Sequence, residues 1–267
     1  MKTLEILMSC MHQTDASLVT ASKITGDCVV INQCDREDYA EYPTENGTAR
    51  MVSTTARGLT KSRNMAIRTA KADICMLADD DEKFVPDYEA RILKAYEALP
   101  DADVIAFKMI HRPRSFGDKV MRVRFPNTMK ISSVQISFKR ESLLNNGVCF
   151  DELLGAGSGN GAEEELKFLT DCERAGLKIY YVPVEIAAVG AESSTWFGGF
   201  DEKFFENRGA TTRYILGFPL ASLYAVYYVL TKKALYQKNI SPAGALKATF
   251  RGIMKNRITK LKKQKGE

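Results

Sequence analysis

Short apolar runs alternate with amphipathic segments through the first hundred residues, and no other feature of the 267-residue chain constrains its fold as strongly. The apolar runs have the length of buried strands, and the segments between them have helical spacing. Pro86 opens one of these helices, a position that suits proline. Strands and helices in alternation predict an α/β fold with a mostly parallel central sheet flanked by helices. The strand segments are "TLEILMSC", "DCVVINQC" and "DICMLA", and the helix segments are "TKSRNMAIRTAKA" and "PDYEARILKAYEAL".

The second half of the chain continues this pattern less regularly. "DADVIAFKMI", "KISSVQISF" and "LKIYYVPVEI" are predicted to be strands, and "AEEELKFLTDCERAG" is predicted to be a helix that ends at Gly176. Before that helix, "GAGSGNG" at 155–161 contains four glycines. Such a segment is either a loop that admits a ligand or a flexible connection, and both interpretations stay open.

Composition excludes several classes of protein. With 45% hydrophobic and 27% charged residues, the chain is an ordinary globular protein of one large or two small domains. The six cysteines form no CxxC pair, which favours free thiols in a reducing, cytoplasmic compartment over disulfides or a zinc site. The first residues lack the apolar length and cleavage site of a signal peptide, so we do not expect export.

Charge is distributed unevenly along the chain. Residues 232–267 carry 11 basic residues against one acid, so this tail holds +10 while the rest of the chain holds −5. The 18 residues before the tail, 214–231, contain no charged side chain and are interrupted by Pro219. Such a segment fits a helix that lies on an anionic membrane better than one that crosses it. The alternative is a core helix followed by a solvated basic tail.

Three aspartates follow a buried strand in "LADDDEK". If that strand stays extended to its end, Asp79 and Asp81 point to one side and Asp80 points to the other. Ligands collect beyond the carboxyl ends of the strands in a doubly wound sheet. Two carboxylates in that place suit Mg²⁺ or Mn²⁺ bound jointly with the phosphates of a substrate. The alternative is a solvated acidic turn.

A second acidic cluster begins the helix after the glycine-rich segment. Glu165 shares a helical face with Leu169 and Cys172, so it should point inward, where it could act as a general base. Glu163 lies four residues before Lys167, and an ion pair between the two would explain it without any function. Stabilisation of the helix dipole by acids in the first turn is the alternative for the whole cluster.

Two motifs together resemble a known family. "ARGLTKSRNMAIRTAKADICMLADDDEKFVPDY" and "GAEEELKFLTDCERAGLKIYYVP" resemble the helix–strand–DxD segment and the Glu-Asp helix of family 2 glycosyltransferases, which have the GT-A fold. With the first strand, the resemblance covers roughly residues 3–210. It implies a glycosyltransferase domain over 1–210 and leaves 211–267 as a helical, basic, membrane-associating region.

The resemblance also implies an activity. Family members of this kind are metal-dependent, inverting enzymes that use a nucleotide-diphosphate sugar, here expected to be UDP-linked. The segment around Trp196 and "FFENRGA" is similar to capsule and surface-polysaccharide glycosyltransferases. The expected acceptor is therefore a saccharide or lipid-linked saccharide at the cytoplasmic face of the cell membrane, where the protein would be peripheral. No nucleic-acid partner is expected.

Site residues follow from the resemblance position by position. It implies contacts to the donor nucleotide at the ends of the first strands and around the DxD, a divalent Mn or Mg ion, a catalytic Glu pair whose second member is the base, and an aromatic platform for the acceptor. The residues are Ser9, Cys10, Asp35, Arg63, Asp79 and Asp80 for the donor, Asp81 for the metal, Glu164 and Glu165 for catalysis, and Trp196 for the acceptor.

The sequence departs from the family in three places. Glu165 stands where the family usually has Asp, and "MSCMHQ" lacks the usual Pro-Thr. The family's His after the last strand has no counterpart; either Glu192 substitutes for it or the metal site has one ligand fewer. Two other functions stay open. A nucleotidyltransferase of the same fold would normally show a glycine-rich phosphate loop after its first strand, which this sequence lacks, and a non-catalytic membrane-bound binding module would use the acids only as surface charge.

Overall fold

The computed structural model describes residues 2–110, 116–161, 163–190 and 199–264. Within these ranges ten strands form one sheet. The strands are β1 (Leu4–Met11), β2 (Cys28–Gln33), β3 (Asp38–Pro43), β4 (Thr48–Thr54), β5 (Ile74–Asp79), β6 (Glu82–Phe84), β7 (Val104–Ile110), β8 (Met121–Val123), β9 (Ile136–Lys139) and β10 (Ile179–Val189). The helices are α1 (Ser17–Ala21), α2 (Leu59–Thr69), α3 (Tyr88–Ala98), α4 (Arg140–Asn145), α5 (Glu164–Arg174), α6 (Glu202–Thr231), α7 (Lys233–Tyr236), α8 (Pro242–Lys255) and α9 (Arg257–Gln264).

The sheet has a parallel core with antiparallel additions. Its order is β3-β4-β2-β1-β5-β9-β7-β10-β6, with β8 also pairing with β10. The strands β4, β2, β1 and β5 are parallel neighbours, as the alternation of strands and helices predicts. β9 is antiparallel to both of its neighbours, so the complete sheet is mixed. The predicted strand over 130–138 is correct only in its last part, because Ser133–Gln135 forms a 3₁₀ turn before β9.

Helices cover both faces of the sheet, as predicted. Alternate residues of β1 enter two separate hydrophobic clusters, Ile6 on one face and Leu7 on the other. On the first face, α1 and α3 contribute apolar side chains such as Ile92. On the second face, α2 and α5 contribute side chains such as Ile67 and Leu169. This double coverage explains why β2 is buried along its whole length and reads as a continuous apolar run.

The chain forms two compact units. The first comprises Met1–Phe150 and Glu165–Ala191, and the second comprises Asp151–Glu164 and Glu192–Glu267. The second unit therefore takes in the glycine-rich segment in addition to the C-terminal helices. The resemblance implies a domain boundary near residue 210, and that boundary stays a prediction.

The second unit is built around a broken helix. α6 is long and apolar enough to cross a membrane by length and composition, with 22% of its apolar window buried. Gly217 interrupts it with a φ of 78°, and Pro219 follows, so two helical segments meet at a kink. After the kink, one face buries Ala221, Ala225 and Val229. The opposite face exposes apolar side chains at helical spacing, namely Leu220, Leu223, Val226, Tyr227 and Leu230.

Two glycines bring the backbones of α6 and α8 close together. A Cβ atom on Gly209 would lie 2.0 Å from the carbonyl oxygen of Thr249. A Cβ atom on Gly252 would lie 1.9 Å from the carbonyl oxygen of Glu206. No side chain larger than hydrogen fits at either position, so this helix pair depends on glycine at both crossing points.

The six cysteines are free thiols, as the sequence predicts, and only Cys149 is exposed.

Candidate active site

The polar cluster predicted from the sequence begins at the carboxyl ends of β1 and β5. These strands are parallel neighbours, and Ser9 lies opposite Asp79 in their register. The chain leaves β1 toward β2 on one side and later returns to β5 on the other, so the strand order reverses at this point. In open α/β sheets such a reversal forms the crevice where ligands bind. Ser62 of α2 donates a hydrogen bond to the Ser9 hydroxyl at 2.8 Å, which fixes one wall of the crevice.

An ion pair between a buried arginine and a half-buried aspartate joins α2 to the end of β5. Nη2 of Arg63 lies 3.1 Å from Oδ1 of Asp79, and the Arg63 side chain is only 3% exposed. The Arg63 guanidinium carbon lies 5.4 Å from the ring centroid of Phe150, within the range of a cation–π contact. The structure therefore brings Ser9, Arg63 and Asp79 together, three of the residues that the resemblance implies for donor binding.

Asp80 and Asp81 lie in a turn between β5 and β6. The prediction that Asp79 and Asp81 share a side because the strand is extended is wrong, since β5 ends at Asp79. The backbone carbonyl of Asp81 accepts a hydrogen bond from the N–H of Gly190 at 3.0 Å, which holds the turn against the end of β10. Exclusion of water and then the charge of Asp79 raise the pKa of Asp80 above its ordinary value.

Glu82 is a fourth carboxyl group that the sequence analysis missed. Its side chain is 1% exposed, and Oε1 accepts a hydrogen bond from the backbone N–H of Asp79 at 2.8 Å. Its other oxygen, Oε2, is buried and has no hydrogen-bond partner among the described residues. Burial and then the charge of Asp79 raise the pKa of Glu82 well above its ordinary value. The sequence gives no signal for this burial, which is visible only in the structure, where Glu82 and Phe84 are buried on either side of exposed Lys83.

Cys10 and Asp35 have different surroundings. Cys10 is buried, and burial followed by the charge of Asp80 raises the pKa of its thiol to about 12, so the thiol is neutral at physiological pH. The Asp35 side chain is 89% exposed and pairs with Arg57. Arg57, also missed from the sequence, donates 2.8 Å and 3.2 Å hydrogen bonds to the carbonyls of Cys34 and Thr54 and so fastens the ends of β2 and β4.

The acidic cluster at the start of α5 differs from the prediction in two respects. The buried carboxyl group is Glu164, whereas Glu165, which was predicted to point inward, is half-buried; the apolar residues after them lie in the core as predicted. The predicted Glu163–Lys167 pair is wrong: among the described residues, Oε1 of Glu163 pairs with Nη2 of Arg208 at 2.6 Å. Lys167 pairs with Asp171 in its own helix. A helical wheel compares only neighbours along the chain, so Arg208 could not appear in it.

Some predicted residues lie outside the described ranges. These are Trp196, the expected acceptor platform, and Glu192, the candidate substitute for the family's histidine. His12, at the end of β1, is exposed.

The family resemblance implies a divalent metal, and the described residues fit one type of site. They contain no group of three Asp, Glu, His or Cys side chains arranged to hold an ion. Asp79 is already paired with Arg63, which leaves Asp81 as the carboxylate of the motif assigned to a metal. These residues do not form an all-protein metal cage. They fit an Mg²⁺ or Mn²⁺ ion held by one carboxylate, water and the phosphates of a substrate.

The fold and the polar cluster at the strand-order reversal define the class of the protein: it has the GT-A fold of nucleotide-diphospho-sugar transferases. Residues 24–150 match the model of glycosyl transferase family 2. The resemblance to family 2 glycosyltransferases is therefore confirmed. A comparison with curated proteins finds no match.

Solved structures share the fold. S. aureus TarS aligns over 90% of this chain with a TM-score of 0.58 and 13% identity, and this chain spans 45% of that longer one. S. aureus TarS 1-349 in complex with UDP-GlcNAc aligns over 90% of this chain and 74% of its own, with a TM-score of 0.60 and 15% identity. The mannosyltransferase PcManGT from Pyrobaculum calidifontis, in complex with GDP-Man and Mn²⁺, aligns over 95% of this chain and 86% of its own, with a TM-score of 0.53 and 15% identity.

Proposed function

We propose that this protein transfers a sugar, with inversion, from a nucleotide-diphosphate donor to a hydroxyl group of a saccharide or lipid-linked acceptor. The observation that carries the proposal is the pairing of buried Arg63 with half-buried Asp79 beside Ser9, at the strand-order reversal of a GT-A fold. A buried cation next to carboxylates suits a ligand that presents both ribose hydroxyls and a diphosphate. The two aligned proteins in complex with nucleotide sugars support this class of donor, and a UDP-linked sugar is the expected one.

The proposed roles of the side chains follow from this placement. Ser9, Cys10 and Asp35 line the nucleoside side, Asp79 accepts hydrogen bonds from the ribose, and Arg63 holds Asp79 in place and offsets charge near the diphosphate. The Asp35 carboxylate is exposed, so a base can reach it. Asp81 is the residue that would hold a divalent metal, and the bound ion would offset the charge that develops on the leaving diphosphate.

The chemical step needs one base from this chain. Glu165 accepts the proton of the acceptor hydroxyl as its oxygen attacks the anomeric carbon of the donor sugar. The bond from that carbon to the diphosphate oxygen breaks, and the diphosphate leaves with the electron pair. One displacement inverts the configuration at the anomeric carbon. Glu164, the buried neighbour of Glu165, precedes the base in the first turn of α5.

We further propose that the second unit holds the enzyme on an anionic membrane, where a lipid-linked acceptor would be found. The exposed apolar face of α6 after the kink supports this, because a soluble helix normally buries such a face. Lys232 and Lys233 follow it directly, and basic residues continue through α8 and α9. The kink at Gly217 favours a helix in the plane of the interface over one that crosses the bilayer. A place in surface-polysaccharide synthesis fits this location.

Donor binding and turnover test the proposal. We expect UDP to bind the purified full-length protein in the presence of Mn²⁺, and we expect slow release of UDP from UDP-GlcNAc or another UDP-sugar, or of GDP from GDP-Man. Binding without release under any donor and acceptor mixture would favour the non-catalytic module. Formation of a nucleotide sugar from a nucleoside triphosphate and a sugar phosphate would favour the nucleotidyltransferase. No binding of any nucleotide would contradict the proposal.

A further inference from the structure

Glu163 is held inside the second unit by a residue far away in the sequence. Its carboxylate lies 2.6 Å from the Arg208 guanidinium, and the Glu163 and Arg208 side chains are 15% and 18% exposed. The backbone at Glu163 has a φ of 68°, a conformation that non-glycine residues seldom adopt. An ion pair with this little exposure is strongly constrained, because removing either partner leaves the other charge buried without compensation.

Arg208 is fixed independently of Glu163. Its guanidinium carbon lies 4.1 Å from the ring centroid of Tyr228, and Nη2 donates a hydrogen bond to the Tyr224 hydroxyl at 3.1 Å. The ring of Phe204 lies 5.4 Å away. The aromatic side chains of α6 therefore form a socket that orients the guanidinium, so the position of Arg208 dictates the position of Glu163.

The same segment is held at two further points. The hydroxyl of Tyr214 donates a hydrogen bond to the carboxylate of Asp151, at the start of the segment. Nη2 of Arg257, in α9, contacts the carbonyl oxygen of Gly159 at 3.5 Å and donates to Asn207 at 2.8 Å. Residues 151–164 are thus connected at their beginning, middle and end to the C-terminal helices of the same unit, although the segment contains four glycines that would otherwise leave it free to move.

We propose that Arg208 is a positioning residue for catalysis: by holding Glu163, it fixes the first turn of α5 and with it the Glu164–Glu165 pair that follows directly in the chain. The inference rests on the proposed role of Glu165 as the base. It gives the C-terminal helices a part in the chemical step in addition to membrane attachment. An error of about 1 Å in the position of a catalytic group can lower the rate about a hundredfold, so the effect should appear in kcat.

A double-mutant cycle on the full-length protein tests the inference. The variants are Glu163→Gln, Arg208→Gln and both together, and the readouts are UDP affinity with Mn²⁺ by calorimetry and the kcat and KM for release of UDP from UDP-GlcNAc. We expect each single variant to lower kcat at least tenfold while the UDP Kd and the donor KM stay within about twofold. The double variant should be no slower than the slower single variant, because both changes break one contact.

Two comparisons separate positioning from general stability. Glu202→Gln removes an ion pair with Arg251 on the surface of the same unit and should leave kcat unchanged. Arg208→Lys keeps the charge and should recover part of the lost rate. Wild-type kcat in both single variants, or a loss of rate matched by loss of UDP binding or of folded protein, would overturn the inference. If the wild-type protein itself neither binds UDP nor releases it from UDP-GlcNAc, the proposed function fails instead.

Discussion

Asp79 and Asp81 are two residues apart, but the backbone gives them different surroundings. Asp79 is the last residue of β5 and is paired with buried Arg63. Asp81 lies in the following turn, and its backbone carbonyl accepts a hydrogen bond from the N–H of Gly190. A carboxylate that already offsets a buried arginine is a poor metal ligand, whereas one on a turn can approach a metal bound together with phosphates. These surroundings are the reason for proposing that Asp79 orients the donor and Asp81 holds the metal.

We expect Asp81→Asn to remove most of the metal-dependent part of donor binding, since it deletes the charge of a ligand and keeps its shape. Calorimetry with UDP should show at least a tenfold rise in Kd when Mn²⁺ is present and little change in EDTA. Asp38→Asn, a surface change on β3, is the matched control and should bind as the wild type does. Equal affinities of Asp81→Asn and wild type in Mn²⁺ would argue against a metal role for Asp81.

We expect Glu165→Gln to keep UDP binding nearly intact and to lower kcat by roughly two to four orders of magnitude, the range typical of a lost general base. The amide keeps the size of the side chain but cannot accept a proton. Release of UDP from UDP-GlcNAc under saturating donor measures the effect. Glu97→Gln on α3, an exposed position, serves as the control. A Glu165→Gln protein with full kcat would remove Glu165 from the mechanism.

At this scale the sequence allows part of the site to be predicted. Ser9 and Asp79 could be placed together because they end neighbouring parallel strands, and Arg63 because its helix α2 directly precedes β5 in the motif. Glu163 could not, because its partner Arg208 lies 45 residues later and no pattern along the chain connects them. Glu82 was missed because a carboxyl group next to three aspartates looks solvent-exposed, and its burial depends on pairing between β6 and β10.

Strands and helices could be predicted from the sequence where their burial is uniform. They could not be predicted where they depend on contacts with residues distant in the chain. β1, β2 and β5 are buried on both faces and read directly as apolar runs. β3 is an edge strand whose side chains are mostly exposed or half-buried, so it has little apolar signal and was not predicted. The kink in α6 lies close to the predicted interruption at Pro219, but the residue that leaves helical geometry is Gly217.

We expect Gly252→Ala to destabilise the second unit, although alanine normally stabilises a helix by about 1 kcal/mol relative to glycine. The new methyl group would lie 1.9 Å from a backbone carbonyl of α6, which cannot move aside like a side chain. Overpacking of this kind costs about 1–3 kcal/mol or more, and thermal unfolding measures it. Gly244→Ala in the same helix meets side-chain atoms of Ser241 and Ile240 at 3.1 and 3.2 Å and should be far milder. A more stable Gly252→Ala protein would contradict this close packing.

Across the whole molecule, charge and exposed apolar surface coincide in the C-terminal region. The chain before residue 232 carries −5 and the rest carries +10, so the protein is repelled from anionic surfaces at one end of its sequence and attracted at the other. Some of this basic charge is internally offset, since Arg251 and Lys255 pair with Glu206. Sequence alone indicated an uncharged segment. The sequence could not show which side chains face outward, because the 18 residues contain apolar groups on every face. The packing of α6 against its neighbours decides this.

We expect the paired substitution Leu223→Asn and Leu230→Asn to release the full-length protein from anionic liposomes. These side chains are 67% and 69% exposed and lie on the face opposite the buried Ala221 and Ala225, so their loss should leave the fold intact. Burying a leucine contributes about 1.5–3 kcal/mol and each basic residue near the surface about 1 kcal/mol, so losing both leucines should weaken binding at least tenfold. Co-sedimentation with phosphatidylglycerol-containing liposomes at low and high salt measures this.

The matched control is Leu144→Asn, which removes an exposed leucine from α4 in the first unit and should bind as the wild type does. Wild-type binding should fall as salt rises, because part of the attraction is electrostatic and is screened within about 8–10 Å at physiological ionic strength. It should also be weaker on uncharged phosphatidylcholine liposomes. If wild type and the double variant both stay in the supernatant with anionic liposomes at low salt, the apolar face of α6 does not bind membrane, and burial against a second protein surface becomes the explanation to test by measuring oligomeric state.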